Sequence, residues 1–185
     1  MITLVLGGAR SGKSEVAEQL AAALPPPLVY LATAAAPEPG GDPAFAGRVE
    51  AHRRRRPTGW QTVEAGAALV PALSASRGSV LVDALGTWVA ATPGFAVDTD
   101  ALCDALLGRG GDTVVVSDEV GMGVHPYSEA GRLFRDVLGD VNRAVARVAD
   151  EVLLVVAGRV LPLAPPAGAT DPGGAGRPAC TPEGA

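Results

Sequence analysis

Residues 7–14 read Gly-Gly-Ala-Arg-Ser-Gly-Lys-Ser, between an apolar run, Ile2–Leu6, and an amphipathic segment, Ser14–Ala23. This fits G-x-x-x-x-G-K-[ST] in the setting that pattern requires, a strand before it and a helix after it. The glycines let the main chain curl so that successive N–H groups point inward at phosphate oxygens. The following helix adds its positive N-terminal end. Lys13 then reaches the β and γ phosphates of a nucleoside triphosphate, and the Ser14 hydroxyl takes a Mg²⁺ position. Lys13 is also the only lysine among the 15 basic residues. A compact ammonium on a flexible stem suits a phosphate.

The rest of the chain repeats the strand–helix theme. Ile2–Leu6, Leu28–Leu31, Val80–Val82, Thr113–Val116 and Val152–Val156 are short apolar runs rich in Val, Leu and Ile. They lack polar alternation, as strands covered on both faces do. Helices are expected over Ser14–Ala23, Pro43–Arg55, Ala67–Ser76, Thr99–Leu107 and Ser128–Ala149, with an edge strand at Gln61–Val63. Such alternation predicts an α/β fold, a mostly parallel sheet flanked by helices. Pro25-Pro26-Pro27 and Pro37–Pro43 read as connections. From Leu163 onward the sequence is Pro, Gly, Ala and Thr with little to bury, so a disordered tail over 163–185 is expected after one domain over 1–162.

The 185 residues carry a net charge of −5, which argues against nucleic acid or an acidic membrane surface as the main partner. No run approaches the roughly 18–20 apolar residues that span a bilayer, and no export signal is visible. Cys103 and Cys180 match no metal or redox spacing. A reduced, cytoplasmic protein is the expectation.

A phosphate loop needs a carboxylate for its metal at the end of a neighbouring strand. Val80-Leu81-Val82-Asp83 offers one, and Val114–Glu119 offers Asp118 and Glu119. The sequence leaves the choice open. Residues 48–60 carry His52 and the run Arg53-Arg54-Arg55-Arg56. The run reads either as a solvated surface or as an anion-binding rim. In the second reading the neutral His52 imidazole attacks an α-phosphate to form a covalent nucleotidyl intermediate. Nearby guanidinium charges favour the neutral ring. Arg132 and Arg135, at i and i+3 of the last helix, face either a ligand phosphate or Asp136 and Asp140.

Several separated segments then resemble one family, the bifunctional adenosylcobinamide kinase/adenosylcobinamide-phosphate guanylyltransferases of cobalamin biosynthesis. They are Gly7–Ser14, Tyr30–Thr33, Arg48–Trp60 with Thr62-Val63-Glu64, Val80–Asp83 and Ser117–Gly139. The phosphate loop is shared widely; Glu119-Val120-Gly121-Met122-Gly123 with Arg132–Asp136 is far more specific. The resemblance implies a RecA-like P-loop fold in a homo-oligomer, a trimer where it is known. It implies phosphorylation of the aminopropanol hydroxyl of adenosylcobinamide by ATP or GTP. GMP is then transferred from GTP to that phosphate through a histidine-bound intermediate. Carried over by position, Lys13 and His52 are the catalytic residues. Nucleotide contacts come from Gly7, Gly8, Ala9, Arg10, Ser11, Gly12, Lys13, Ser14, Thr33, Ala34, Ala35, His52, Arg53, Arg54, Arg55, Glu64 and Asp83.

One departure bears on mechanism. The guanylylated histidine of some relatives aligns with Ala51, which forms no phosphoramidate. Either His52 takes the role or the transferase half is lost, leaving a kinase. His125, beside Pro126, is the other histidine. A GTP-binding switch without turnover is a third reading, which the specific later motifs disfavour. The glycines around Met122 predict a turn that lets a bulky ligand approach the backbone.

Overall fold

The computed structural model describes residues 1–34, Gly47 and 59–166. The expected helix Pro43–Arg55, Gly47 apart, lies outside the described residues, as do Ala35, Ala51, His52, Arg53, Arg54 and Arg55. Most of the expected tail does too.

The strands are β1 (Ile2–Gly7), β2 (Leu28–Ala32), β3 (Gln61–Glu64), β4 (Ser79–Asp83), β5 (Thr113–Asp118), β6 (Glu151–Val156) and β7 (Arg159–Pro162). The helices are α1 (Lys13–Ala22), α2 (Leu69–Ala75), α3 (Leu85–Ala91), α4 (Thr99–Leu107) and α5 (Glu129–Val148). One sheet runs in the order β3-β2-β4-β5-β1-β6-β7. Its first six strands pair in parallel, and β7 pairs antiparallel to β6.

The uniform strand sequences follow from the two apolar layers that this sheet separates. Leu4, Leu6, Leu31, Val80, Val82 and Val115 face one core, shared with side chains of α2, α3, α4 and α5. Val5, Tyr30, Leu81, Val114, Val116 and Val155 face the other, where Ala17 and Ala21 of α1 pack. Side chains alternate in direction along a strand, so a strand apolar at every position needs a cover on both faces. The small alanines let α1 approach closely.

Helix starts use local chemistry. Ser128 accepts the Gly131 amide at 3.0 Å and caps α5. Asp98 accepts the Ala101 amide at 2.9 Å and caps α4. These caps satisfy amides that a helix leaves unpaired. The expected helix Ala67–Ser76 begins instead as a 3₁₀ turn, Gly66–Ala68, and becomes α-helical only over Leu69–Ala75. The Leu163 amide, expected to open a disordered tail, donates to the Val152 carbonyl at 2.8 Å, so strand-like bonding runs one residue past β7.

Candidate active site

The register of the parallel strands brings their C-terminal ends together at one edge of the sheet. Ala32 pairs with Glu64 on one side and Asp83 on the other. Gly7 pairs with Asp118. Four separated segments thereby converge, Gly7–Ser14, Thr33–Ala34, Glu64–Ala65 and Asp83–Ala84, with Asp118–Glu119 beside them. This is where open parallel sheets build ligand sites.

The phosphate loop is held tightly. The Ser11 amide donates to the Gly8 carbonyl at 3.3 Å, and the Gly158 amide donates to the Ser11 carbonyl at 2.8 Å. The β6–β7 turn thus braces the loop from outside. A side chain on Gly7 would run into Ser11, and Gly12 adopts φ 92°, which L side chains rarely take. Arg10 also has positive φ, 57°. Ala9 and Arg10 are exposed, Ser11 is buried, and Ser14 is half-buried in the first turn of α1. Gly12 at its N-cap has no side chain to cap it, and Ser11 Oγ accepts the Lys13 amide at 3.3 Å. The N-terminal end of α1 opens toward the loop, as an anion site requires.

Lys13 Nζ forms an ion pair with Asp118 Oδ1 at 2.8 Å and donates to the Gly8 carbonyl at 3.3 Å. The three carboxylates left open by the sequence thereby take different positions. Asp118 holds the lysine. Asp83, at the end of β4, accepts a hydrogen bond from the Tyr30 hydroxyl. Glu119 Oε1 accepts the Gly121 amide at 2.7 Å, while its own amide donates to the Gly7 carbonyl at 3.0 Å. Glu119 therefore ties the loop after β5 to the start of the phosphate loop.

Thr33 is fully buried, and its hydroxyl is turned inward. It donates to the Ala84 carbonyl at 2.6 Å, accepts the Ala84 amide at 2.8 Å and meets the Thr87 hydroxyl. Ala34 lies half-buried beside it, and Glu64 is exposed at the end of β3.

Some contributors had weak sequence signals. Gly86, in the first turn of α3, sits where any side chain would collide with the Asp118 carboxylate. Asn142 is a buried polar residue in the apolar stripe of α5. It accepts from Ser117 Oγ at 2.6 Å and donates to the Asp118 carbonyl at 3.0 Å. An asparagine among Leu138, Val141, Ala144 and Val145 was the available signal. Arg132 and Arg135 turn to local partners: Arg132 donates to the Pro126 and Tyr127 carbonyls, and Arg135 pairs with Asp136 and bonds His125.

Comparison with known proteins shows the family. The model of the cobinamide kinase / cobinamide phosphate guanyltransferase family matches residues 3–163. The chain belongs to that family. Relatives include the bifunctional adenosylcobalamin biosynthesis protein CobP of Pseudomonas aeruginosa, 37% identical over 172 residues, covering 88% of this chain and 97% of the relative. The protein of the same description called CobU in Salmonella typhimurium is 35% identical over 183 residues, covering 85% and 97%. Among solved structures, flagellar accessory protein FlaH from Methanocaldococcus jannaschii aligns at 12% identity with a TM-score of 0.46, covering 86% of this chain and 74% of that one. As a cobinamide kinase family member the chain uses nucleotide substrates. No helix of the described residues is long and apolar enough to cross a membrane.

Proposed function

We propose that this chain phosphorylates the aminopropanol hydroxyl of adenosylcobinamide with ATP or GTP, then transfers GMP from GTP to the new phosphate. The observation that carries the reading is the Lys13–Asp118 pair, set in the phosphate loop at the C-terminal sheet edge. In the kinase step the amides of Gly7–Ser14 hold the phosphates and Lys13 leaves Asp118 for the β and γ phosphate oxygens. Catalysis of this kind rests on positioning and charge.

Ser14 and Asp83 supply the hard oxygen donors that suit Mg²⁺. That ion takes one or two carboxylates besides phosphates and water, so such a sparse donor set fits it. When bound, the ion neutralises charge on the phosphate oxygens. Asp118 pairs with Lys13 before nucleotide binds, and the departing lysine leaves it as a second carboxylate beside the phosphates.

In the transfer step His52 attacks the α-phosphorus of GTP. An N–P bond forms, the bond to the bridging oxygen breaks, and pyrophosphate leaves. A phosphate oxygen of cobinamide phosphate then displaces the histidine. Thr33–Ala35, Arg53–Arg55, Glu64 and Asp83 complete the nucleotide contacts. Thr33 contributes main-chain groups and rigidity, since its hydroxyl is engaged with Ala84 and Thr87. The active form is a cytoplasmic homo-oligomer, a trimer by family resemblance, with residues 1–162 as the catalytic unit. Apolar side chains on the outer strand β7 support self-association.

Incubation with adenosylcobinamide, Mg²⁺ and GTP should yield both cobinamide phosphate and adenosylcobinamide-GDP. GTP labelled at the α-phosphate should leave an acid-labile, base-stable label on the wild type and none on His52→Ala. Ala51 favours a second reading, a kinase that has lost transfer. Phosphorylation without any label on the wild type would select it.

A further inference from the structure

Between β5 and α5 the chain makes a loop whose apolar side chains are held out into water. Met122, Val124 and Tyr127 are 72%, 97% and 103% exposed. Scattered single apolar residues on a surface need no explanation, but a cluster does. Nor is the loop slack. Arg132 donates to the carbonyls of Pro126 at 3.2 Å and Tyr127 at 2.8 Å. Arg135 bonds His125 Nδ1 at 3.0 Å, Glu119 takes the Gly121 amide, and Ser128 caps the helix that follows. A surface fixed in this way loses little further freedom when a ligand arrives.

Its position selects the ligand. The loop leaves the sheet at Glu119, whose amide is bonded to Gly7 of the phosphate loop. Met122 follows three residues later, so its main chain lies within about 11 Å of that point. We infer that this loop is the docking surface for the corrin ring of the acceptor, an inference that rests on the cobinamide kinase reading. The acceptor carries its reacting hydroxyl on a side arm of a broad macrocycle with apolar faces and an amide-fringed rim. With the hydroxyl at the nucleotide's terminal phosphate, the ring sits one arm's length from Lys13. Met122 supplies a soft, adaptable contact and Tyr127 a flat one. His125 and the main-chain groups of the turn suit the amides. Among the described residues a second exposed apolar group, Val156, Val160, Leu161 and Leu163, is centred on the outer edge strand.

The test compares the full-length wild type with Met122→Ser/Val124→Ser/Tyr127→Ser, whose changes touch no buried contact. Adenosylcobinamide is titrated without nucleotide and followed by its own absorbance. Kinase kinetics are measured with it and with free 1-amino-2-propanol, which has the hydroxyl but no ring. Docking on the loop predicts at least a tenfold rise in corrinoid Kd and KM. The GTP KM, the rate with the small alcohol and the sedimenting mass should be unchanged. Unaltered corrinoid affinity in the triple variant would overturn the inference. A fall in mass with corrinoid Kd intact would also overturn it, identifying a second copy of the chain as the occupant. A wild type that binds corrinoid but does not phosphorylate it sinks the kinase reading alone; one that binds none sinks both.

Discussion

At the scale of single residues, Asp118 decides how Lys13 is held in the phosphate loop. Its carboxylate is two-thirds buried, pairs with Lys13 at 2.8 Å and leans against Gly86, where no side chain fits. Triphosphate must draw the lysine away, so part of the pair's energy opposes binding. A partly exposed pair is worth about 1 kcal/mol at most. Asp118→Asn should therefore bind GTP up to about fivefold more tightly, as read by titration; weaker binding would show that the carboxylate serves the ligand. Gly86→Ala should destabilise the fold by about 1–3 kcal/mol through overpacking. Combined with Asp118→Ala, most of that cost should vanish in denaturant melts, because the colliding atoms are gone. Lys13→Ala should reduce kinase kcat by on the order of 10²–10³-fold, the loss typical of one aimed donor. A smaller effect would place the phosphates elsewhere.

Among the elements, α5 links the core to the site. Its Asn142 is surrounded by buried apolar residues, yet it accepts from Ser117 and holds the Asp118 carbonyl. Asn142→Leu keeps the branched skeleton and strands two polar partners, which costs about 1–3 kcal/mol. The melting temperature should fall and kinase kcat should fall with it. Retained kcat at a temperature where the variant is folded would make Asn142 purely structural. At the opposite end of the sheet Arg109 reaches Thr113 Oγ1 and the carbonyls of Leu73, Ser76 and Gly78. Burial pulls its pKa below the ordinary value, and those four acceptors compensate the buried charge. The long, regular elements were legible because periodicity and burial agree in them: α4 is found over the expected Thr99–Leu107, and the six expected strands differ only at their ends. Helix α3 was missed because Gly86, Thr87 and Val89 are poor helix formers. It forms through burial of Leu85, Trp88 and Val89 and the Thr87–Ala84 bonds. Strand β7 was missed because its turn, Ala157-Gly158, needs positive φ at both residues, and alanine does not advertise that. In the site, the glycine loop could be read from spacing alone. The Lys13–Asp118 pair could not, since residues 105 positions apart meet only through the register of β1 on β5.

For the whole molecule, the sheet ends differently on its two sides. On one side β3 is the outer strand, and on the other the antiparallel β7 is. All four β7 residues are exposed, and Val160 and Leu161 add apolar surface to the open edge together with Val156 and Leu163. An edge strand of that kind invites another chain, and proteins that stay monomeric usually blunt it with charge. Arg159 is the charge that β7 carries, at its first position. The trimer proposed above would use this surface, burying at least about 1,000 Å² at each contact to be stable. Because the β6–β7 turn bonds Ser11 of the phosphate loop, association there would also hold that loop in place. Val160→Lys/Leu161→Lys should convert a sedimenting trimer to monomer, since charges on the joined edge would face a desolvated partner. The monomer should keep its parallel sheet, seen as unchanged far-ultraviolet circular dichroism, while the KM for GTP rises as the turn loosens. A wild type that sediments as a monomer removes this account of the edge. A double variant that remains trimeric moves the contact to another face.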